Sequence, residues 1–371
     1  MDFKELAASI RLINSNGIGP VSFYKLTEKY QTAENALNHI EKEKIFSLKS
    51  AEFEIETALK QNISILTYKD KEYPQNLKIL HDAPPIIYVK GNKNILNHPT
   101  AIAIVGARNS AIASKKLASK IAYDLTNNNV LVISGLARGI DSSAHKGALY
   151  AKNQNGPTVA VLGTGADVPY PEENIKLYEQ ICQQGAVISE YPLGTKPQTA
   201  NFPRRNRLVS ALSSAILVVE ASENSGSLIT ARLGLEQGKD IFAVPSFPIE
   251  GKSLGTNLLI KEGAILTECA EDILDVLQFT QNKQIKDFDL YQQNLNAKTL
   301  DKAKKSDNIP LKVKGGNLQS LISLIPQNGI NIDDFIRVSG LDTVEAMAKI
   351  TELELDEIIE RVNTNTLVLK K

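Results

Sequence analysis

The sequence predicts an α/β protein. Its centre is a Rossmann-like parallel sheet, flanked by a helical N-terminal domain and a winged-helix-like C-terminal domain. Three observations predict this. From residue 100 to about 277, short apolar runs alternate with stretches of helical period, as in a parallel sheet covered on both faces. Residues 1–62 carry helical periodicity alone. Residues 317–371 read as three helices and a hairpin. A chain of 371 residues accommodates two or three such domains.

In the N-terminal part, Leu6, Ile10 and Ile13 share a helix face. A turn, Asn16-Gly17-Ile18-Gly19-Pro20, leads to a second helix with Val21, Leu26 and Tyr30. Helix, glycine turn and helix resemble a helix-hairpin-helix, whose turn can offer N–H groups to a phosphate. A plain turn in a small helical domain accounts for so short a pattern better. Residues 63–68 and 86–89 read as strands that add an edge to the following domain, with Tyr73-Pro74 and Pro84-Pro85 breaking any helix between them.

The α/β part opens with a strand at 101–105 that ends in Gly106-Ala107-Arg108, followed by a helix with Leu117, Ala118, Ile121 and Leu125 on one side. The next unit organises the chain: Val130 to Ile133, the turn Ser134-Gly135-Leu136-Ala137-Arg138-Gly139, and a helix with Ile140, Ala144 and Ala148 on one face. Strands at 158–162, 186–189, 215–219 and 240–244 follow, with helices carrying Ile175, Tyr178 and Ile181, then Leu228, Ala231 and Leu235. Residues 278–316 are polar, with Lys302, Lys304 and Lys305 close together, and read as a linker. In the last domain the third helix carries Asp342, Glu345, Glu352 and Glu354 against Lys349 alone. Phosphates would repel it, so this helix is not expected in a DNA groove.

Lysine plus arginine balance aspartate plus glutamate at 42 each, so a nucleic-acid partner must be argued from local charge. Cys182 and Cys269 form no metal or redox pattern, and Cys182 is expected in the core. The N-terminus shows no leader and no stretch long and apolar enough to span a bilayer, so a cytoplasmic location is expected. No metal and no cofactor are expected.

Four strand ends are candidates for one crevice: Gly106-Ala107-Arg108, Ser134 to Gly139, Gly163-Thr164-Gly165 and Ser225-Gly226-Ser227. Glycines there let the backbone approach a phosphate, and a helix N-terminus favours an anion. Gly106, Ser134, Gly135, Gly163, Gly165, Ser225, Gly226 and Ser227 are therefore candidate phosphate-binding residues. Neither the dinucleotide nor the triphosphate glycine motif is present. The stretch between Glu190 and Glu220 holds no acid, yet carries Lys196, Arg204, Arg205 and Arg207 beside Phe202 and Asn206. Arginine forks match phosphate oxygens and a phenylalanine ring can stack on a base, which suits single-stranded nucleic acid, with Arg108 and Arg138 joining from other strand ends. Equally, these arginines could pair internally with Glu190, Glu220 and Asp141. Asp141 and His145 lie four apart on a helix, and without a third ligand they read as a helix N-cap and a surface histidine. Ser134, Ser225 and Ser227 read as backbone and phosphate contacts.

The runs SGLARGIDSSAH, AVLGTGADVPYP, SEYPLGT, NFPRRNRL, SGSLITA and GTNLLIKEGA resemble the DNA-processing protein A (DprA, or Smf) family, over roughly 65–277. The resemblance implies an extended Rossmann fold, a homodimer, and a bacterial cytosolic protein of natural transformation. Such a protein binds incoming single-stranded DNA, protects it and loads the RecA recombinase onto it. It implies DNA contacts at Arg108, Lys196, Phe202, Arg205, Asn206 and Arg207, and dimer and recombinase surfaces within 255–276. Ala107 departs from the serine or threonine common in the family, which removes one hydroxyl contact. The other reading is a Rossmann-like nucleotide hydrolase using Glu190, Glu220 or Asp141 as acid or base. Several arginines and a ring exceed what one mononucleotide needs, which favours the binding protein.

Overall fold

The computed structural model describes residues 2–152, 157–223, 225–248 and 254–277, together with 321–370 apart from 323–324, 327–328, 340, 342, 357 and 363–365. The linker read at 278–316 lies outside the described residues, as does Asp342 of the acidic helix. The chain divides into two compact units, Met1–Ile285 and Lys286–Lys371.

In the first unit, nine strands form one sheet: β1 (Ile63–Thr67), β2 (Ile86–Gly91), β3 (Ala101–Val105), β4 (Leu131–Ser134), β5 (Thr158–Val161), β6 (Ala186–Ser189), β7 (Ala215–Val218), β8 (Asp240–Ala243) and β9 (Ile265–Leu266). Their order is β1-β2-β6-β5-β4-β3-β7-β8-β9. From β6 to β9 all neighbours are parallel. β1 and β2 add an antiparallel edge against β6, which is the extension that the sequence of 63–89 predicts. Period-two alternation divides each strand between two layers. In β3, Ala101, Ala103 and Val105 face one core while Ile102 and Ile104 face the other.

Helices α1 (Phe3–Ile13), α2 (Pro20–Tyr30), α3 (Ala33–Leu37) and α4 (Leu48–Lys60) form the N-terminal domain. Pro20 opens α2 at a position where its missing N–H costs nothing. α1 and α4 bury Ala7, Ile10, Ala51 and Ile55 against Ile63, Ile86 and Tyr88 of the sheet edge. On one face of the sheet lie α5 (Ile112–Asn127), α6 (Ile140–Tyr150) and a helix over 270–277. On the other lie α8 (Asn201–Leu212) and α9 (Gly226–Glu236), through Leu208, Val209, Leu228 and Ala231. α7 (Ile175–Gln184) packs through Leu177, Tyr178 and Ile181, with Cys182 partly buried beside them. Ile175 and Leu235, expected on core-facing stripes, are exposed because they sit at the first residue of α7 and in the last turn of α9.

In the second unit, helices Ile332–Ser339 and Thr343–Leu355 accompany three short strands, Ile330–Asn331, Ile359–Val362 and Thr366–Leu369. The predicted hairpin pairs Ile359 with Leu369 and Val362 with Thr366, and Ile330–Asn331 adds a strand the sequence reading did not include. Phe335, Ile350, Leu353, Ile359 and Leu367 form its core.

Candidate nucleic-acid interface

β3 and β7 are neighbours, but the chain leaves β3 for β4 on one side and reaches β7 only after β6. The strand order therefore reverses beside β3, and a crevice opens there at the carboxyl ends, as expected of open α/β sheets. A hollow of about 380 Å³ fills it, lined by Gly106 and Arg108 after β3, Asp141 on α6, Phe202, Arg205 and Asn206 on α8, and Ser225 to Ser227 at the start of α9. A second hollow of about 390 Å³ adjoins it, lined by Asn109, Gly135, Arg138, Tyr170 and Pro171. Arg108, Ala137, Tyr170, Phe202 and Arg205 line both.

The stretch Asn201 to Leu212, not assigned to an element from sequence, is a helix. Pro203 falls in its first turn, where no N–H is required. Asn201, Arg205, Leu208, Val209 and Leu212 make its buried face, so Arg205 occupies a core position. Its guanidinium donates to the carbonyls of Gly135, at 2.6 Å, and Val161. A side chain at Gly135 would push that guanidinium from its carbonyls, so glycine here keeps Arg205 in place. Asp141 is not the N-cap of α6, a place that Gly139 holds; it lies in the first turn, and its carboxylate accepts from the N–H groups of Gly135 and Ala137 at 3.1 and 3.4 Å. Burial pushes the Asp141 pKa up, and the Arg205 charge opposes that shift. Gly139 has φ +77°, a left-handed conformation that suits glycine, and Leu136 adopts φ +57° without that excuse. Arg205 and Asp141 thus hold a bent turn by its carbonyl and its N–H groups respectively.

Arg207 is also engaged within the fold. Its guanidinium meets Glu190 Oε2 at 2.6 Å and Asp82 Oδ2 at 2.9 Å, and its side chain is 15% exposed. Of the three internal partners considered from sequence, Glu190, Glu220 and Asp141, Arg207 takes Glu190, and Asp82 is an addition. Arg204 and Lys196 are exposed. Arg138, also exposed, pairs with Glu173 at 2.9 Å. Asn206 Nδ2 donates to the carbonyl of Gly226. The Arg108 guanidinium lies over the half-buried Phe202 ring, 5.6 Å from its centre. Phe202 packs against Gly163, where a Cβ would stand 3.0 Å from the ring. Ser225 caps α9, its hydroxyl accepting from the Ser227 N–H, with Gly226 open to the crevice. Tyr170, missed in the sequence reading, sets its ring 5.4 Å from Phe202. Its signal was an aromatic residue just beyond Gly163-Thr164-Gly165.

Other sequence readings need correction. Ser134 is fully buried and donates to the carbonyl of Ile104, so its hydroxyl is under the crevice and cannot meet a phosphate there. The Gly165 N–H is used by the carbonyl of Thr195. His145 is not on the surface: it is fully buried, with Nδ1 2.7 Å from the Thr158 hydroxyl, because α6 packs against α5, α7 and the sheet. Burial lowers its pKa to about 3. Glu220, a candidate acid or base, accepts from the Ala111 N–H at 3.0 Å and fixes the loop after β3. Among the described residues, no group of three His, Cys, Asp or Glu side chains could hold a metal ion, and no helix is long and apolar enough to cross a membrane.

The profile of a family described as DNA recombination-mediator protein A matches residues 64–278, more than half the chain and all of the crevice. The chain belongs to that family. A second profile, the DprA-like N-terminal HHH domain, matches residues 4–42 of this DprA-family chain, covering α1, α2 and α3. The helix-hairpin-helix pattern, passed over in favour of a plain turn, is thus the better description of that segment. Protein Smf of a Synechocystis strain is 32% identical over 91% of this chain and 92% of its own length. DNA processing protein DprA of Streptococcus pneumoniae is 38% identical over 64% of this chain and 81% of its own. Its crystal structure superposes with a TM-score of 0.55 at 37% identity, covering 62% of this chain and 80% of that one. A Helicobacter pylori DprA structure, titled for its single-stranded DNA binding mode, gives a TM-score of 0.53 at 31% identity over 59% of this chain and 96% of that one.

Proposed function

We propose that this DprA-family chain is a non-catalytic single-stranded DNA-binding protein, which protects incoming DNA and loads RecA recombinase onto it during natural transformation, acting as a homodimer. The observation that carries the reading is the pairing of Arg108 with Phe202 at the switch-point crevice, an exposed cation over a half-buried ring. A phosphate on Arg108 would bring its base towards the Phe202 and Tyr170 rings, and the positive end of α9 favours a neighbouring phosphate. The single-strand binding named for the H. pylori relative supports the same reading.

The hydrolase alternative loses ground on a specific observation. Glu190 is tied to Arg207, Glu220 to the Ala111 N–H, and Asp141 to Gly135 and Ala137. Each carboxylate is engaged in holding a loop or helix. A titration with oligodeoxythymidylates of increasing length against nucleoside monophosphates tests the proposal. Affinity rising with length, without nucleotide turnover, is expected. Preference for the mononucleotide, or turnover lost in Glu220→Gln, would overturn it.

A further inference from the structure

The loop from β6 to α8 carries Lys196, three residues before Thr199 at the crevice wall. The turn just before Lys196 is held at three points. Asp167 accepts from the Gly194 N–H with both oxygens, at 2.8 and 3.0 Å. The Thr195 carbonyl accepts from the Gly165 N–H. The third point comes from the N-terminal domain: Oε1 of Glu54, on α4, accepts from the Leu193 N–H at 3.2 Å. The same oxygen accepts from the Tyr88 hydroxyl at 2.7 Å. Glu54 is 8% exposed and Tyr88 is 2% exposed. The Leu193 side chain packs into the core that α1 and α4 share with β1 and β2.

A buried carboxylate is strongly disfavoured unless it is hydrogen-bonded, so its placement is demanding. Ordinary helix docking needs no carboxylate at this point, since Ala51, Ile55 and Ala58 already pack α4 on the sheet edge. Glu54 adds an acceptor for the buried Tyr88 hydroxyl and, through the same oxygen, a fixed position for one backbone N–H of the Lys196 loop. We propose that Glu54 is a positioning residue, through which the N-terminal helical domain sets the place of Lys196 and so the strength of single-strand binding, although Glu54 does not line the crevice. The proposal rests on Lys196 acting as a phosphate contact.

The test uses the full chain with Glu54→Ala, Glu54→Gln, Lys196→Ala and the Glu54→Ala/Lys196→Ala double variant. Hydrogen exchange over 193–196 is measured beside the salt dependence of oligodeoxythymidylate binding. Glu54→Ala should speed exchange at Leu193 at least tenfold. It should also flatten the log–log salt slope by about 0.7, one phosphate on a single strand, as Lys196→Ala does. The double variant should bind no more weakly than Lys196→Ala. Glu54→Gln keeps an oxygen for the Leu193 N–H and should keep the parent slope. Should Glu54→Ala fail to fold, Leu193→Pro deletes the donor and takes its place, with the same salt-slope expectations and with faster exchange read at Gly194 to Lys196. A slope changed by Lys196→Ala but not by Glu54→Ala overturns the proposal alone, as does a Glu54→Ala loss that is the same with or without Lys196. A Lys196→Ala slope equal to the parent removes the phosphate role of Lys196, and the proposal with it.

Discussion

Replacing Arg207 with alanine separates a DNA contact from a structural ion pair. The guanidinium lies between Glu190, whose side chain is 11% exposed, and Asp82, at 28%. Removing it leaves Glu190 buried without its counter-charge, a change that costs about 3–5 kcal/mol for buried pairs. Asp82 can turn to water, which places the expected loss near the lower end, about 3 kcal/mol. In a domain of this size that lowers the melting temperature by about 6–12 °C. The loss should depend on pH. Burial raises the Glu190 pKa while Arg207 lowers it, so without Arg207 the folded-state value rises further above the unfolded one. The native state then binds more protons than the unfolded state, and stability falls as pH rises through that interval. The deficit should therefore shrink on acidification from neutral towards pH 5. In a Glu190→Gln background, Arg207→Ala should cost less by about 1–3 kcal/mol, the coupling expected of residues in contact. Urea unfolding of the four proteins at two pH values measures this. An unchanged unfolding free energy, combined with a flatter salt slope for single-strand binding, would refute the argument and return Arg207 to the DNA site.

Phe202→Ala should weaken oligonucleotide binding by about 1–3 kcal/mol through lost stacking and leave the salt slope near its parent value; a changed slope would show that the ring acts only by placing Arg108. His145 should make the fold acid-sensitive. Its folded pKa of about 3 lies below the unfolded value, so stability falls as pH drops through 6.5, by about 2 kcal/mol at pH 5, and His145→Gln should lose that dependence in urea titrations. Truncation after Leu277 should leave single-strand affinity within about twofold, since the acidic helix Thr343–Leu355 is repelled by phosphates; a large loss with dimerisation intact would assign DNA contacts to the removed part.

The sheet and its crevice were legible because strand, turn and helix repeat along the chain, and each glycine turn falls at a strand end. The added edge was also legible, from two apolar runs separated by prolines, while its antiparallel sense came from the structure. α8 was not, because Pro203 and three arginines hide its apolar stripe. Yet Arg205 stands at helical spacing from Leu208, Val209 and Leu212, and that register places it on the buried face. The partner Asp82 was out of reach of local reading, since 125 residues separate it from Arg207. His145 misled because α6 is enclosed by neighbours on several sides, which no single-helix pattern records. Glu54 carries no signal of its own in the sequence, standing between Glu52 and Glu56 on α4. Its burial follows from where the loop after β6 passes, a fact of tertiary structure alone.

The way the N-terminal helices share a core with the sheet edge limits how the molecule can be cut. Only two residues separate α4 from β1. A fragment beginning at residue 64 would keep every strand but β1's first residue, and would look complete by its alignment to relatives. It would nevertheless lay bare Ile86, Tyr88, Ala166 and Leu193, which α1 and α4 cover in the whole chain. Such a strip of apolar surface invites self-association. A recombinant core trimmed to that boundary would be prone to aggregate, and oligomers seen with it would report the missing helices in place of any native partner. Fragments for crystallography or for binding assays should therefore start at the N-terminus and place their cut beyond Leu277.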